Sequence, residues 1–98
     1  MNSIEDLLHL LYSDGADELR LHVGQPPIVV LDGEDQLLEK PAITMEDAEQ
    51  ILHCIADSRQ RRALRECGIV EFIYTFRQRA KFVVQARLEG ENLHIDIH

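Results

Sequence analysis

Along this 98-residue chain the apolar positions switch between two periods, and each switch predicts an element boundary. Ile4, Leu7, Leu8, Leu11 and Tyr12 share one face at helical spacing. Ser3 and Asp6 read as a capping box in front of them, and Gly15 is placed to end that helix at about Asp14. From Leu19 the period falls to two: Leu19, Leu21 and Val23 alternate with Glu18, Arg20 and His22, the pattern of a strand with one buried face. Gly24-Gln25-Pro26-Pro27 forces a reversal, because glycine permits a positive φ and each proline fixes its φ and lacks a backbone donor. Ile28 to Leu31 predicts a second strand, closed by Asp32-Gly33, a dipeptide favoured in tight hairpin turns. Gln36 to Leu38 adds a short third. After the connector Lys40-Pro41-Ala42, Thr44 with Asp47 starts a helix whose stripe is Met45, Ala48, Ile51, Leu52 and Ile55, down to about Ala56. Asp57-Ser58 restarts a strongly basic helix that ends near Gly68. The last third predicts strands at Ile69–Phe76, Lys81–Leu88 and Leu93–Ile97, joined by turns at Arg77-Gln78-Arg79 and at Glu89 to Asn92.

The resulting order, αβββααβββ, lacks the strand-helix-strand repeat of doubly wound folds, so the expected class is α+β with an antiparallel sheet and helices packed on it. Residues 1–98 suffice for one domain with one modest core. A hydrophobic content of 45% with 29% charged residues is ordinary for a folded chain and argues against disorder. No apolar run approaches the roughly 20 residues that span a bilayer, and the start Met-Asn-Ser-Ile-Glu-Asp lacks a secretory signal's basic and apolar regions. Cys54 and Cys67 are therefore read as reduced thiols used in packing, and the chain is expected to be cytoplasmic. The net charge of −8 is unevenly spread: residues 1–58 carry 13 acids against Arg20 and Lys40, and residues 59–98 carry 8 basic residues against 5 acids. Such polarity suits head-to-tail stacking of copies or a charged partner, whereas the overall acidity argues against nucleic-acid binding.

Candidate chemistry is sparse. A phosphate-binding loop needs closely spaced glycines followed by lysine and a hydroxyl residue, and none of the five glycines is followed by Lys-Ser or Lys-Thr. Arg59, Arg61, Arg62, Arg65, Arg77, Arg79 and Arg87 are candidates for a basic docking surface, or simply a solvated one; Arg61 and Arg65, four apart, share a helix face. From this set Arg61, Arg65, Arg77 and Arg79 are the expected partner-binding residues. His94, Asp96 and His98 lie on one side of a strand at a spacing zinc accepts, but the alternation of Leu93, Ile95 and Ile97 explains them as the wet face of a half-buried strand, so no metal site is expected. His9, His22 and His53 are scattered and suggest surface or boundary positions. No nucleophile–base pair is indicated locally. Glu46, Asp47 and Glu49 suit the first turn of a helix, where acids favour the dipole, and need no catalytic role.

The stretch GADELRLHVGQPPIVVLDGE resembles the opening of the N-terminal domain of the twitching-motility and type II and type IV secretion ATPases. Those proteins read Gly-Ala-Ser-Asp-(Leu/Ile)-His-Leu, then Gly-x-Pro-Pro, then a strand ending in Asp-Gly-Glu. The likeness continues through Gln60-Arg61, Glu66-Cys67-Gly68, Glu71-Phe72-Ile73-Tyr74 and Ala80-Lys81-Phe82, nearly the whole chain. The resemblance implies a PAS-like domain that packs on the ATPase core of a neighbouring subunit in a hexamer. That motor core does not follow within these 98 residues, so the piece is expected to be non-catalytic: either a domain of a longer ATPase or a free-standing relative. The family segment Arg-Phe-Arg-Val-Asn, which turns positive charge toward nucleotide phosphates, corresponds to Lys81-Phe82-Val83-Val84-Gln85. Lys81 keeps a charge without the planar fork suited to phosphate, and Val83 has none. The Ser-Asp-Leu-His-Leu signature has become Asp17-Glu18-Leu19-Arg20-Leu21, so a retained fold with an altered polar face is implied. The resemblance thus implies no cofactor of the chain's own, ATP reached only through a partner or a motor domain by way of Lys81, and protein partners: other copies, an ATPase core, or pilus and secretion components at the inner face of the membrane. A different reading is a free-standing sensor whose apolar residues Phe72, Tyr74, Phe82 and Val84 line a small-ligand pocket.

Overall fold

A computed structural model describes residues 4–13 and 15–98; the expected Ser3 cap and the helix end at Asp14 lie outside the described residues. These residues form α1 (Ile4–Ser13), β1 (Glu18–His22), β2 (Ile28–Leu31), β3 (Glu34–Leu37), α2 (Met45–Ile55), α3 (Ser58–Cys67), β4 (Ile69–Phe76), β5 (Ala80–Glu89) and β6 (Asn92–Ile97). The class is α+β and the order is the one the periodicity predicts.

Local chemistry fixes the corners. The Asp32-Gly33 turn has both residues at positive φ, 52° and 79°, as a tight antiparallel hairpin requires, and it closes β2 on β3 with Leu31 opposite Glu34. Thr44 caps α2 through a reciprocal box with Asp47, and Asp57 caps α3 in the same way with Gln60. The turn between β4 and β5 puts two non-glycine residues, Arg77 and Gln78, into the left-handed region at φ 53° and 57°.

The six strands form one antiparallel sheet in the order β3-β2-β1-β6-β5-β4. Each half is a sequential meander, and the two are sewn together where β1 meets β6, with Leu19 opposite Ile97 and Leu21 opposite Ile95. Alternation then decides the faces. Leu19, Leu21, Phe82, Val84, Ala86, Leu93, Ile95 and Ile97 point into the core, where they meet Leu7, Leu8, Ala48, Ile51, Leu52 and Leu64 of the helices. The intervening residues, Glu18, Arg20, His22, His94 and Asp96, lie half-buried on the face that the helices leave uncovered. Among the described residues no helix is long and apolar enough to cross a membrane.

Two expectations need correction. Cys54 and Cys67 are exposed rather than packed, because each falls on the outer side of its helix. The third strand begins at Glu34 and ends at Leu37, shifted toward the turn because the tight hairpin starts pairing immediately after Gly33.

Candidate interaction surfaces

The basic residues singled out in the sequence fall at two places. α2 ends at Ala56 in an extended conformation and α3 is capped by Asp57, so the chain turns between the helices with no linker. Across this corner Arg61 donates through Nη1 to the carbonyl of Ala56 at 2.6 Å, which satisfies an acceptor left over by the end of α2. Arg61 is thus partly committed to holding the corner. Arg65, one turn further along, is exposed. Both line a groove of about 190 Å³ between α2 and α3, floored by Leu52, Leu64, Leu88 and Leu93, with Glu49 and His53 on the α2 wall. The groove is apolar below and carries opposite charges on its rims. It can hold a short apolar anchor flanked by a polar or acidic group.

Arg77 and Arg79 sit in the β4–β5 turn and Lys81 follows at the start of β5, where it lies opposite Thr75 on the uncovered face. The guanidinium of Arg77 lies over the Phe76 ring at 5.1 Å from its centre, a cation–π contact that steadies the tip. From Ala80 to Leu88, β5 spans roughly 26 Å at about 3.3 Å per residue. Arg61 and Arg65 at one end therefore do not join Arg77, Arg79 and Lys81 at the other. The set expected to act together is two basic surfaces separated by the length of a hairpin, and Lys81 belongs with the tip. Arg87 is on neither: it faces the helix-free side, beside Glu89 at 3.3 Å.

The uncovered face also carries a polar network that the sequence did not reveal. Arg20 bonds Glu18 at 2.6 Å and Asp35 at 3.1 Å, linking β1 to β3 across β2. Its guanidinium is held above its ordinary pKa, chiefly by the hydrogen bond to Glu18 and then by that carboxylate's charge, against a small opposing effect of burial; Asp35 and Asp96 add to the rise. His22 meets Asp96 through Nε2 at 3.0 Å and stacks edge-on to His94 with ring centres 4.3 Å apart. Nδ1 of His94 is buried without a hydrogen-bond partner among the described residues. His22 and His94 are 72 positions apart and meet only because β1 pairs with β6. Sequence reasoning treated His22 as isolated; only the strand pairing shows its partner. His98 approaches Glu18 at 3.9 Å instead of joining His94 and Asp96, and no group of three or more metal-type ligands converges among the described residues.

Phe72, Phe82 and Val84, the residues suited to a sensor pocket, are buried in the core cluster, with Tyr74 packed against it. They fill space that a ligand would need. The sheet order also carries the charge asymmetry into three dimensions: the acidic first half of the chain supplies β3, β2 and β1, and the basic second half supplies β5 and β4 at the opposite end.

No protein-family model matches the sequence, and no curated protein matches it. Solved structures do. One is a pilus retraction motor, PilT, with bound ADP, at a TM-score of 0.87 and 23% identity, covering 100% of this chain and 29% of the motor. Another is the ATPase DotB of Legionella pneumophila, at a TM-score of 0.80 and 17% identity, covering 97% of this chain and 27% of DotB. The chain therefore has the fold of the N-terminal region of these pilus-retraction and secretion ATPases and spans a little over a quarter of their length.

Proposed function

We propose that this chain is a non-catalytic protein-interaction and assembly domain of the pilus-retraction and secretion ATPase kind. The observation that carries the reading is the agreement of the whole chain, from first described helix to last strand, with part of a retraction motor at a TM-score of 0.87. Its partners in this reading are other copies of the chain, an ATPase core, or pilus and secretion components reached at the cytoplasmic face of the membrane. Arg61 and Arg65 dock at the α2–α3 groove. Arg77 and Arg79 dock at the hairpin tip, where Lys81 approaches the phosphates of a nucleotide held by the partner. The chain holds no cofactor itself and contacts neither nucleic acid nor the lipid bilayer.

Capture of a purified full-length retraction ATPase by the immobilised chain tests this. Capture that weakens with added salt and with Arg65→Glu, and with Arg79→Glu at the other surface, supports it, since basic docking is screened by ions. Absence of capture at low salt removes the ATPase core as a partner and, with it, the docking roles of Arg65 and Arg79 toward a motor. ATP titration of the complex, with Lys81→Ala beside the unsubstituted chain, tests the phosphate contact: equal affinities remove it.

A second reading has its own support in the coverage of 29% and 27%: the chain is one domain of a longer motor, and contributes to a neighbouring subunit's nucleotide site. The intact mass of the native gene product decides it. A mass near 11.3 kDa excludes the longer motor, and a mass several times larger establishes that more chain exists.

A further inference from the structure

The groove between α2 and α3 has an apolar floor that includes Leu52, Leu64 and Leu93, and a volume of about 190 Å³. A cavity of about 150 Å³ already admits a benzene-sized group, so an aliphatic side chain fits. Its walls carry opposite charges, Arg65 on α3 and Glu49 on α2. Both are exposed, and neither makes an ion pair among the described residues.

Among the described residues the large apolar side chains left exposed are Tyr12, Leu37, Ile69 and Ile73. Tyr12 is engaged edge-on with the Phe76 ring. Ile69 and Ile73 lie along β4, whose single charge, Glu71, is bonded to Gln85 of the same sheet. Leu37 differs. It is the last residue of β3 and is 63% exposed. Glu39 and Lys40 follow it, both exposed and without an ion pair among the described residues. An apolar side chain followed by an acid and a base matches an apolar hole whose walls carry a base and an acid.

The two cannot meet within one copy. Leu37 stands opposite Ile28 at the sheet edge, in register with Arg20 on the face that the helices leave uncovered. The groove lies on the helix side, over Leu88 of β5 and Leu93 of β6. Those strands are three to four positions away in the sheet, roughly 14–19 Å at about 4.8 Å per strand.

We propose that Leu37 of one copy seats in the α2–α3 groove of the next, with Glu39 toward Arg65 and Lys40 toward Glu49. Two separate matches select a second copy as the occupant: an apolar knob for an apolar hole, and charges of opposite sign on both sides of it. Arg61 stays committed to the Ala56 carbonyl, so Arg65 is the cation available to the incoming acid. Knob and hole are different patches of the same surface, and the contact is therefore heterologous. It passes head to tail from copy to copy until a ring closes or a chain grows.

This deepens the assembly reading by naming what the groove holds, and rests on it only for the biological setting. Sedimentation velocity under reducing conditions, which keep the exposed Cys54 and Cys67 from cross-linking, is the test. The unsubstituted chain is expected to pass beyond the dimer as its concentration rises. Leu37→Asp removes the knob and Arg65→Glu spoils the hole, and each raises the dissociation constant by roughly tenfold or more. In an equal mixture the first variant supplies an intact groove and the second an intact knob, so association returns and stops at the dimer. Glu39→Arg also weakens association, and Glu39→Arg/Arg65→Glu on one chain restores it. All three positions are exposed, and far-ultraviolet circular dichroism checks that each variant folds. A monomer at roughly 1 mM overturns the proposal. So does an unsubstituted chain that stops at two copies, association indifferent to Leu37→Asp, or a mixture that stays monomeric. Leu37→Asp is expected to keep capture of the retraction ATPase. Self-association without capture removes the motor as a partner and leaves this contact standing; capture by a strict monomer does the reverse.

Discussion

Gly68 shows how one residue can set the path of the chain. It ends α3 with its N–H bonded to Leu64 and its backbone at φ 79°, and its carbonyl accepts from Leu88 at 2.8 Å, so helix, β4 and β5 are all tied at this point. A side chain here meets the Leu88 carbonyl at 3.4 Å and a left-handed backbone besides. Gly68→Ala is expected to lower stability by about 1–2 kcal/mol, read as a shifted urea midpoint at unchanged slope. Gln78, at φ 57°, is the converse case, because its backbone already occupies the region glycine prefers. Gln78→Gly is expected to raise stability, by at most about 1 kcal/mol. Thr44 and Asp57 each hold a reciprocal cap, and alanine at either is expected to cost about 1 kcal/mol in the same assay. These caps, and the Asp32-Gly33 turn, are written in adjacent residues and were legible as sequence. The contact of His22 with His94 was not, because nothing local to either residue names the other.

Among the elements, β6 differs from β4 by its place in the sheet. β6 lies between β1 and β5, and Ile95 at its centre is fully buried; β4 lies at the edge, and Ile73 at its centre is 65% exposed. Ile95→Ala is therefore expected to cost about 2–5 kcal/mol, the range for emptying a tightly packed aliphatic site. Ile73→Ala should move the monomer's stability by less than about 0.5 kcal/mol, as for other surface substitutions. Equal losses at the two positions, measured by urea unfolding of dilute protein, would contradict the sheet order. Period alone identified both segments as strands. It could not rank them, because a strand's neighbours, rather than its own alternation, decide whether it is central or marginal.

For the molecule as a whole, the decisive contact is the closure of β1 on β6, which joins residues near the start of the chain to its last strand. Removing residues 92–98 takes out an inner strand and leaves Leu19, Leu21 and Val84 without their neighbours. The shortened chain is expected to lose its far-ultraviolet sheet signal instead of fraying locally, since small domains unfold as one unit. At the same scale, the two basic surfaces lie roughly 26 Å apart along β5, at about 3.3 Å per residue. The losses of capture from Arg65→Glu and Arg79→Glu are therefore expected to add in the double variant if one partner touches both. A double variant no weaker than the more affected single one would mean that a single surface carries the docking.

The nine elements, their order, the α+β class, the Thr44–Asp47 cap, the start of α3 at Asp57 and the buried faces of β1 and β6 were all readable along the chain. All of these follow from interactions between residues a few positions apart, where period and capping chemistry act. The sequence also placed Arg61 and Arg65 on one helix face, for the same reason. Four arrangements emerge only in three dimensions: two meanders become one sheet, β4 rather than β6 is left at an edge, Arg77, Arg79 and Lys81 stand a hairpin's length from Arg61 and Arg65, and His22 meets His94 and Asp96. Those arrangements depend on which strands pair across the fold. Pairing of distant strands is selected by burying the common core, a property of all the elements together that no local window contains.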